Sequence, residues 1–252
     1  MEKRIAFITG ATSGIGEATA NLLAGNKFKL ILCGRRKDKL VSITRRLGAA
    51  TEVTSLGFDV RNNQEVIDAI QSLPEPWKKI DVLINNAGNA HGLSAIQTGD
   101  VKDWDAMMDI NVKGLLYVSK EIMPGMIERK SGHIINIGSI AGKEVYANGN
   151  VYCASKFAVD AITQGMRIDL NPYGIKVTGI HPGLVETEFS LVRFKGDKDR
   201  AASVYRGLQP LKGEDIADLI LFTLTRPPHV VLADMIVFPV AQATATTVRR
   251  ES

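Results

Sequence analysis

A chain of 252 residues and 27.4 kDa is long enough for one large core and barely long enough for two small ones, so a single domain over residues 1–252 is expected. Its 45% hydrophobic and 23% charged content excludes intrinsic disorder, collagen-like repetition and a disulfide scaffold. Lys and Arg number 31 against 27 Asp and Glu, a net charge of +4, which is too small an excess to make nucleic acid a partner.

Cys33 and Cys153 form no framework and stand at no zinc-ligand spacing, so no metal is expected and a cytoplasmic location suits the composition. No apolar run approaches the roughly 18 residues of a membrane span. The first one, Ile5 to Ile8, runs straight into Thr9-Gly10 and reads as a buried strand, so neither a signal peptide nor a membrane partner is expected.

In chain order, strands are expected at 4–8, 29–33, 52–58, 81–84, 133–137, 175–180 and 234–238. Helices are expected at 14–23, 37–47, 64–73, 103–128, 151–170 and 214–224. The alternation is that of repeated βαβ units. The strands are apolar at consecutive positions, as when helices cover both faces of a parallel sheet. The fold class is therefore α/β, a doubly wound Rossmann-type domain with a seven-stranded, mostly parallel sheet. Pro124 should end or kink the fourth helix. Residues 183–213 are polar and charged, and read as a long loop suited to a lid.

The first strand runs into Thr9-Gly10-Ala-Thr-Ser-Gly14-Ile-Gly16, and a helix pattern begins at once. Gly10 suits a tight turn, Gly14 a close approach to a pyrophosphate, and Gly16 helix–strand packing, with the helix N-terminus facing the anion. Gly10, Thr12, Ser13, Gly14, Ile15 and Gly16 are thus the expected phosphate cradle. The second strand ends at Arg35-Arg36, where an acidic residue would hold a ribose hydroxyl. Arginines there suit a 2′-phosphate, so NADP is the expected cofactor. Asp38 is better placed in the first turn of the next helix. Asn85-Asn86-Ala87-Gly88 ends the fourth strand, at the carboxyl edge where ligands bind.

Tyr152 and Lys156 lie four residues apart on one helix face, downstream of Ser139. A nearby ammonium favours the ionised phenol, and Ser139 can hold a substrate oxygen within reach of Tyr152.

The glycine spacing, Asn86-Ala87-Gly88 and Tyr152-Cys-Ala-Ser-Lys156 resemble the short-chain dehydrogenase/reductase superfamily over essentially the whole chain. The resemblance implies an oxidoreductase. It implies adenine contacts from Asp59 and Val60, and an adenine-ribose wall from Asn86, Ala87 and Gly88. It places Pro182, Gly183, Leu184, Val185 and Thr187 beside the nicotinamide, and Asn111 on a proton route to Lys156. Ser139, Tyr152, Lys156 and Asn111 become the expected catalytic set, with Tyr152 and Lys156 also touching the cofactor.

Leu73-Pro-Glu-Pro-Trp77, Asp103-Trp104, Pro124-Gly-Met-Ile-Glu-Arg129, Gly132-His-Ile-Ile-Asn-Ile-Gly-Ser139, Pro182-Gly-Leu-Val-Glu-Thr-Glu-Phe-Ser190 and Val192-Arg-Phe-Lys-Gly-Asp197 look like the NADP-dependent 3-hydroxy acid dehydrogenases. That likeness implies a small-molecule partner, a short 3-hydroxy acid such as serine, allo-threonine or 3-hydroxyisobutyrate, and a homotetramer. A substrate carboxylate needs a cation. Arg193 and Lys195, beside Ser139 and Tyr152, are the expected substrate contacts, with Lys143 a further candidate. Two other readings stay open: a reductase of another carbonyl class, such as 3-oxoacyl thioesters or ketones, and a nucleotide-sensing protein without catalysis.

Overall fold

The structure is a computed structural model and describes residues 3–251. Its sheet is built from β1 (Arg4–Thr9), β2 (Phe28–Gly34), β3 (Val53–Gly57), β4 (Ile80–Asn85), β5 (His133–Ile137) and β6 (Lys176–Pro182), closed at one edge by β9 (Asp234–Val237). The strand order is β3-β2-β1-β4-β5-β6-β9, and every pairing in the sheet is parallel.

Alternate side chains of a strand face opposite sides, and β1 shows why these runs are apolar throughout. Ile5 and Phe7 point into one core, among Val66 and Ile70 of α3 (Asn63–Gln71), Val118, Ile122 and Met126 of α6 (Leu115–Arg129), and Met166 of α7 (Asn150–Leu170). Ala6 and Ile8 point into the other, among Ala20 and Leu23 of α1 (Gly14–Ala24), Leu40 and Ile43 of α2 (Lys37–Leu47), and Ile216 and Ile220 of α10 (Gly213–Leu224). Burying each large aliphatic or aromatic side chain stabilises the fold by about 1.5–3 kcal/mol. A polar residue on either face of β1 would remove that from one core or the other.

Neighbouring β1 and β4 are where the strand order reverses direction, and their carboxyl ends open the crevice in which such sheets bind ligands. A short helix, α4 (Glu75–Lys78), precedes β4.

Three expectations need correction. The predicted fourth helix starts as α5 (Val101–Met108), passes through a π-helical turn at Asp109–Gly114, and continues as α6. Of the two outcomes expected at Pro124, an end and a kink, the end does not occur, since the helix runs on to Arg129. Pro124 and Lys120, whose carbonyl Pro124 cannot pair, both lie on the exposed face, while Ile122 and Met126 hold the other face in the core. The segment 183–213 is not an irregular loop. It carries α8 (Phe189–Arg193) and α9 (Lys198–Ser203), and its ends are joined by the pair β7 (Val185–Glu186) and β8 (Leu211–Lys212).

The C-terminal residues fold back over this segment. Gln242 Oε1 accepts from Leu184 N at 2.8 Å, Glu251 N donates to Gly207 O at 2.7 Å, and Arg250 donates to Val204 O at 3.0 Å. No helix among the described residues is long and apolar enough to cross a membrane.

Candidate active site

One cavity of about 710 Å³ runs along the carboxyl ends of β1, β4, β5 and β6. Its first wall is the turn after β1. Gly10 and Gly14 have φ of +64° and +54°, a region that residues with a Cβ rarely enter. Gly16 has no space for a side chain, since a Cβ there would overlap the Gly10 carbonyl oxygen and meet Asn86 Nδ2 at 2.5 Å. Asn86 is consequently a brace. Its Nδ2 donates to Thr9 O at 3.0 Å and Gly10 O at 3.2 Å, while Thr9 Oγ1 accepts from the N–H groups of Asn86 and Ala87 at 3.0 and 2.9 Å.

Four residues of this end converge. Arg36 Nε donates to Thr12 Oγ1 at 3.0 Å, its Nη2 to Ser13 Oγ at 2.6 Å, and its Nη1 to Glu188 Oε2 at 2.6 Å. Arg35 is more open, 3.5 Å from Asp59, and Asp59 is gripped by Arg61 at 2.6 Å. Asp38 stands in the first turn of α2. Two guanidinium groups, two hydroxyls and a glycine turn at a helix N-terminus fit a dinucleotide carrying an extra phosphate.

At the other end, α7 presents Tyr152 and Lys156 one turn apart, as the helical repeat of 3.6 residues requires. Tyr152 lies against the Phe189 ring, with centroids 5.7 Å apart, on the cavity wall that Ser139 also lines. Ser139 follows β5 and its Oγ accepts from Ala141 N at 3.1 Å, which fixes the hydroxyl's direction.

Burial pushes the Tyr152 phenol well above its usual value, with the Tyr146 phenol adding to the rise, while Ser139 and Arg193 pull it down. Burial lowers the Lys156 ammonium to about 8. Its Nζ donates to Ile137 O at 3.0 Å, and Ser139 and Arg193 join the expected ammonium as groups that favour the ionised phenol.

Asn111 sits on the π-helical turn. The turn adds a residue to the helical circuit, and Asn111 is there 2% exposed. Its Oδ1 accepts from Asn89 N and its Nδ2 donates to Asn89 O, each at 2.8 Å, with a further bond to Ser155 Oγ at 2.9 Å. Asn111 thus clamps the strand end to α7 and makes no direct bond to Lys156. The two converge only around Gly88, where a Cβ would stand 3.2 Å from Asn111 Oδ1 and 3.5 Å from Lys156 Nζ.

Ile15, Val60, Ala87, Gly88, Pro182, Gly183, Leu184, Val185 and Thr187 also border the cavity. Thr187 packs directly against Gly14, with its Cβ 3.1 Å from where a Gly14 Cβ would be.

Of the expected substrate cations, Arg193 is in the cavity wall and Lys195 is not. The chain turns through left-handed conformations at Lys195 and Gly196, with φ of 53° and 94°. That turn swings the Lys195 ammonium outward to Asp103 at 2.9 Å and Asp100 at 3.8 Å. Lys143 is likewise committed elsewhere, to Asp160 at 2.9 Å and Asp234 at 2.7 Å.

Arg193 lies over two rings, 5.5 Å from the Tyr152 centroid and 5.6 Å from that of Tyr146. Its Nε donates to Gly92 O at 3.2 Å, while Nη2 is buried with no partner. The sequence reading missed Asn89, Tyr146, Phe189, Glu188 and Gln242. Only Asn89, adjoining Asn86-Ala87-Gly88, had a local signal.

The family model described as short chain dehydrogenase matches residues 4–197. The chain is 44% identical over 242 residues to NADP-dependent 3-hydroxy acid dehydrogenase YdfG of Salmonella typhi, covering 96% of this chain and 97% of the relative. It is 41% identical to sulfoacetaldehyde reductase 2 of Chromohalobacter salexigens, with 95% of each covered. Among solved structures, the closed form of serine dehydrogenase complexed with NADP+ superposes with a TM-score of 0.92 at 41% identity, covering 98% of this chain and all of the other.

Proposed function

From the premise that the chain belongs to the short-chain dehydrogenase family, and is thus an NADP-dependent oxidoreductase, we propose that its substrate is a short 3-hydroxy acid or the matching 3-oxo acid. NADP, when bound, supplies the hydride acceptor in oxidation and the donor in reduction. Gly10 to Gly16 cradle its pyrophosphate, and Arg35 and Arg36, with Thr12 and Ser13, take the 2′-phosphate. Asp59 and Val60 border the adenine, Ala87 and Gly88 the ribose, and the turn from Pro182 to Thr187 the nicotinamide.

The protein's own part is proton transfer and orientation. Ser139 holds the substrate oxygen, and Tyr152 takes its proton during oxidation or returns one during reduction. The Lys156 ammonium and Arg193 guanidinium stabilise the phenolate as it forms. Asn111, which clamps the Asn89 backbone to Ser155 of α7, stands beside Gly88 and Lys156 on the proton route to the ammonium.

The observation that carries the substrate class is Arg193, a guanidinium over Tyr152 whose buried Nη2 has no partner. An unpaired buried donor is costly, and a carboxylate two bonds from the reacting carbon supplies what it lacks. A sulfonate in the same position would do so too, and one relative is named for such a substrate.

The edge strand β9 leaves Ile236 half exposed, and Val240, three residues beyond its end, is fully exposed. A second copy of the chain covers it in the homotetramer we propose. The two free cysteines are buried, in keeping with a cytoplasmic enzyme.

The test compares Arg193→Met with the parent on a 3-hydroxy acid, on a 2-hydroxyalkanesulfonate, and on the corresponding alcohol without the anion. The expected result is a fall in kcat on all three, because Arg193 also stabilises the phenolate, and a further loss of kcat/KM on the anions, at least tenfold greater than on the neutral alcohol and carried by KM; about 1.5–3 kcal/mol is typical of a charge-assisted hydrogen bond. Equal losses of kcat/KM on all three would overturn the assignment.

A further inference from the structure

Outside the cavity, four titratable side chains from four parts of the chain meet. Lys143 follows the turn that begins at Ser139, Asp160 lies on α7, His181 near the end of β6 and Asp234 at the start of β9. Lys143 Nζ donates to Asp160 Oδ1 at 2.9 Å and to Asp234 Oδ2 at 2.7 Å, and His181 Nε2 lies 2.7 Å from Asp234 Oδ1. The donor atoms of Asp160, His181 and Asp234 lie within 4.8 Å of one another, a set that suits a divalent cation, but the Lys143 ammonium takes that place. Burial would lower it, yet its bonds to Asp234 and Asp160 raise it above its usual value, so it is charged at any working pH.

The turn from Ser139 to Lys143 is stiff. Gly142 N donates to Ser139 O at 2.8 Å and Lys143 N to Ile140 O at 2.9 Å, while Ser139 Oγ accepts from Ala141 N at 3.1 Å. One face of the turn lies directly on α7, where a Cβ on Gly142 would come within 2.5 Å of the Lys156 carbonyl oxygen. Asp160 is one helical turn beyond Lys156. The ion pair therefore fastens one end of the turn to the helix that carries Tyr152 and Lys156, while Ser139 stands at the other end, on the cavity wall.

We infer that Lys143 is a positioning residue, whose ion pair with Asp160 holds the Ser139 hydroxyl in register with the Tyr152 phenol. This rests on the reading that Ser139 holds the substrate oxygen and Tyr152 carries the proton. Loss of the ammonium leaves two carboxylates facing each other unopposed. It also raises the proton affinity of His181, which burial and then Lys143 hold down, and the His181 ring packs on Gly138, the residue before Ser139. Both changes displace the turn, and a misplacement of about 1 Å at a reacting group costs on the order of 10²-fold in rate.

The experiment measures oxidation of allo-threonine, or of 2-butanol if the parent oxidises only neutral alcohols, in Lys143→Met, Lys143→Arg and Ser139→Ala. It reads kcat per NADPH-binding site, which cancels the unfolded fraction, the KM for NADP, and the acid limb of kcat/KM. Lys143→Met is expected to lower kcat by about tenfold or more and to leave the KM for NADP nearly unchanged. Its acid limb should move to higher pH, because Ser139 is one of the groups that favour the ionised phenol, while Tyr146, Arg193, Cys153 and Lys156 around that phenol are the same in both proteins. Lys143→Arg, whose charged fork can bridge two carboxylates, should restore most of the rate and the parental limb.

A merely structural lysine would cut the number of NADPH sites and leave kcat per site and the limb in place. That result, or equal losses in Lys143→Met and Lys143→Arg, overturns the inference. Should Lys143→Met bind no NADPH, Asp160→Asn reads the same quantities, since it removes the charge and keeps an acceptor: a smaller loss with the same shift of the limb is expected, and parental values overturn the inference. Near-parental turnover in Ser139→Ala overturns the underlying reading, whereas a large loss there with none in Lys143→Met overturns the inference alone.

Discussion

Arg36 and Glu188 are joined by a 2.6 Å ion pair between Nη1 and Oε2. It ties the strand end expected to receive the 2′-phosphate to the segment that follows β6. Lys39 reaches the same carboxylate at 2.9 Å. The hydrogen bonds from Arg36 and Lys39 hold Glu188 down at about 2, so it remains charged at any working pH.

A bound 2′-phosphate must share Arg36 with this carboxylate. Glu188→Gln is expected to lower the KM for NADP by about two- to fivefold, since a pair this exposed is worth up to about 1 kcal/mol, and to leave the KM for NAD unchanged. Steady-state kinetics with each cofactor decides it. A raised KM for NADP would mean that Glu188 helps to assemble the phosphate site.

The Lys156 ammonium, lowered by burial to about 8, sets an alkaline limit. In the reductive direction Tyr152 must give up a proton and leave a phenolate, which Lys156 stabilises only while charged. Reductive kcat is therefore expected to decline as pH rises through about 8. Lys156→Arg, whose guanidinium stays charged, should be slower overall and lack that decline. A limb unchanged in the variant would assign it to another group.

His133 is expected to contribute to acid sensitivity. It is buried in β5, its Nε2 lies 2.9 Å from Thr178 Oγ1, and burial, with Lys176 and Arg4 nearby, lowers it to about 3. Between about 6.5 and 3 the unfolded chain binds a proton that the folded one refuses. Stability thus falls with falling pH, by up to about 1.4 kcal/mol per unit from this group. His133→Gln can still bond Thr178 and cannot titrate, so urea unfolding at pH 7 and pH 4.5 should show a smaller drop than in the parent. Parallel drops would contradict the assignment.

What was legible in the sequence was local. The Gly10–Gly14–Gly16 spacing, the four residues between Tyr152 and Lys156, and the arginines closing β2 each express their geometry within one turn or one strand end. The apolar runs encoded the sheet for the same reason, because both faces of each strand are covered. What was hidden depends on the path of the chain. The π-helical turn that directs Asn111 to Asn89 has no residue signature of its own. The left-handed turn at Lys195 and Gly196 separates Lys195 from Arg193, although only two positions divide them. Gln242 meets Leu184 across 58 residues, a contact set by the returning C-terminus and by nothing near either residue.

The central claim, that the Tyr152 phenol is the proton carrier of the site, is tested most directly by measuring turnover and NADPH affinity in Tyr152→Phe. The account predicts that NADPH still binds by fluorescence titration, weakened by no more than one lost hydrogen bond, and a loss of kcat of about 10²–10⁴-fold, the range of a positioned acid or base. Near-parental turnover with NADPH still bound would contradict it.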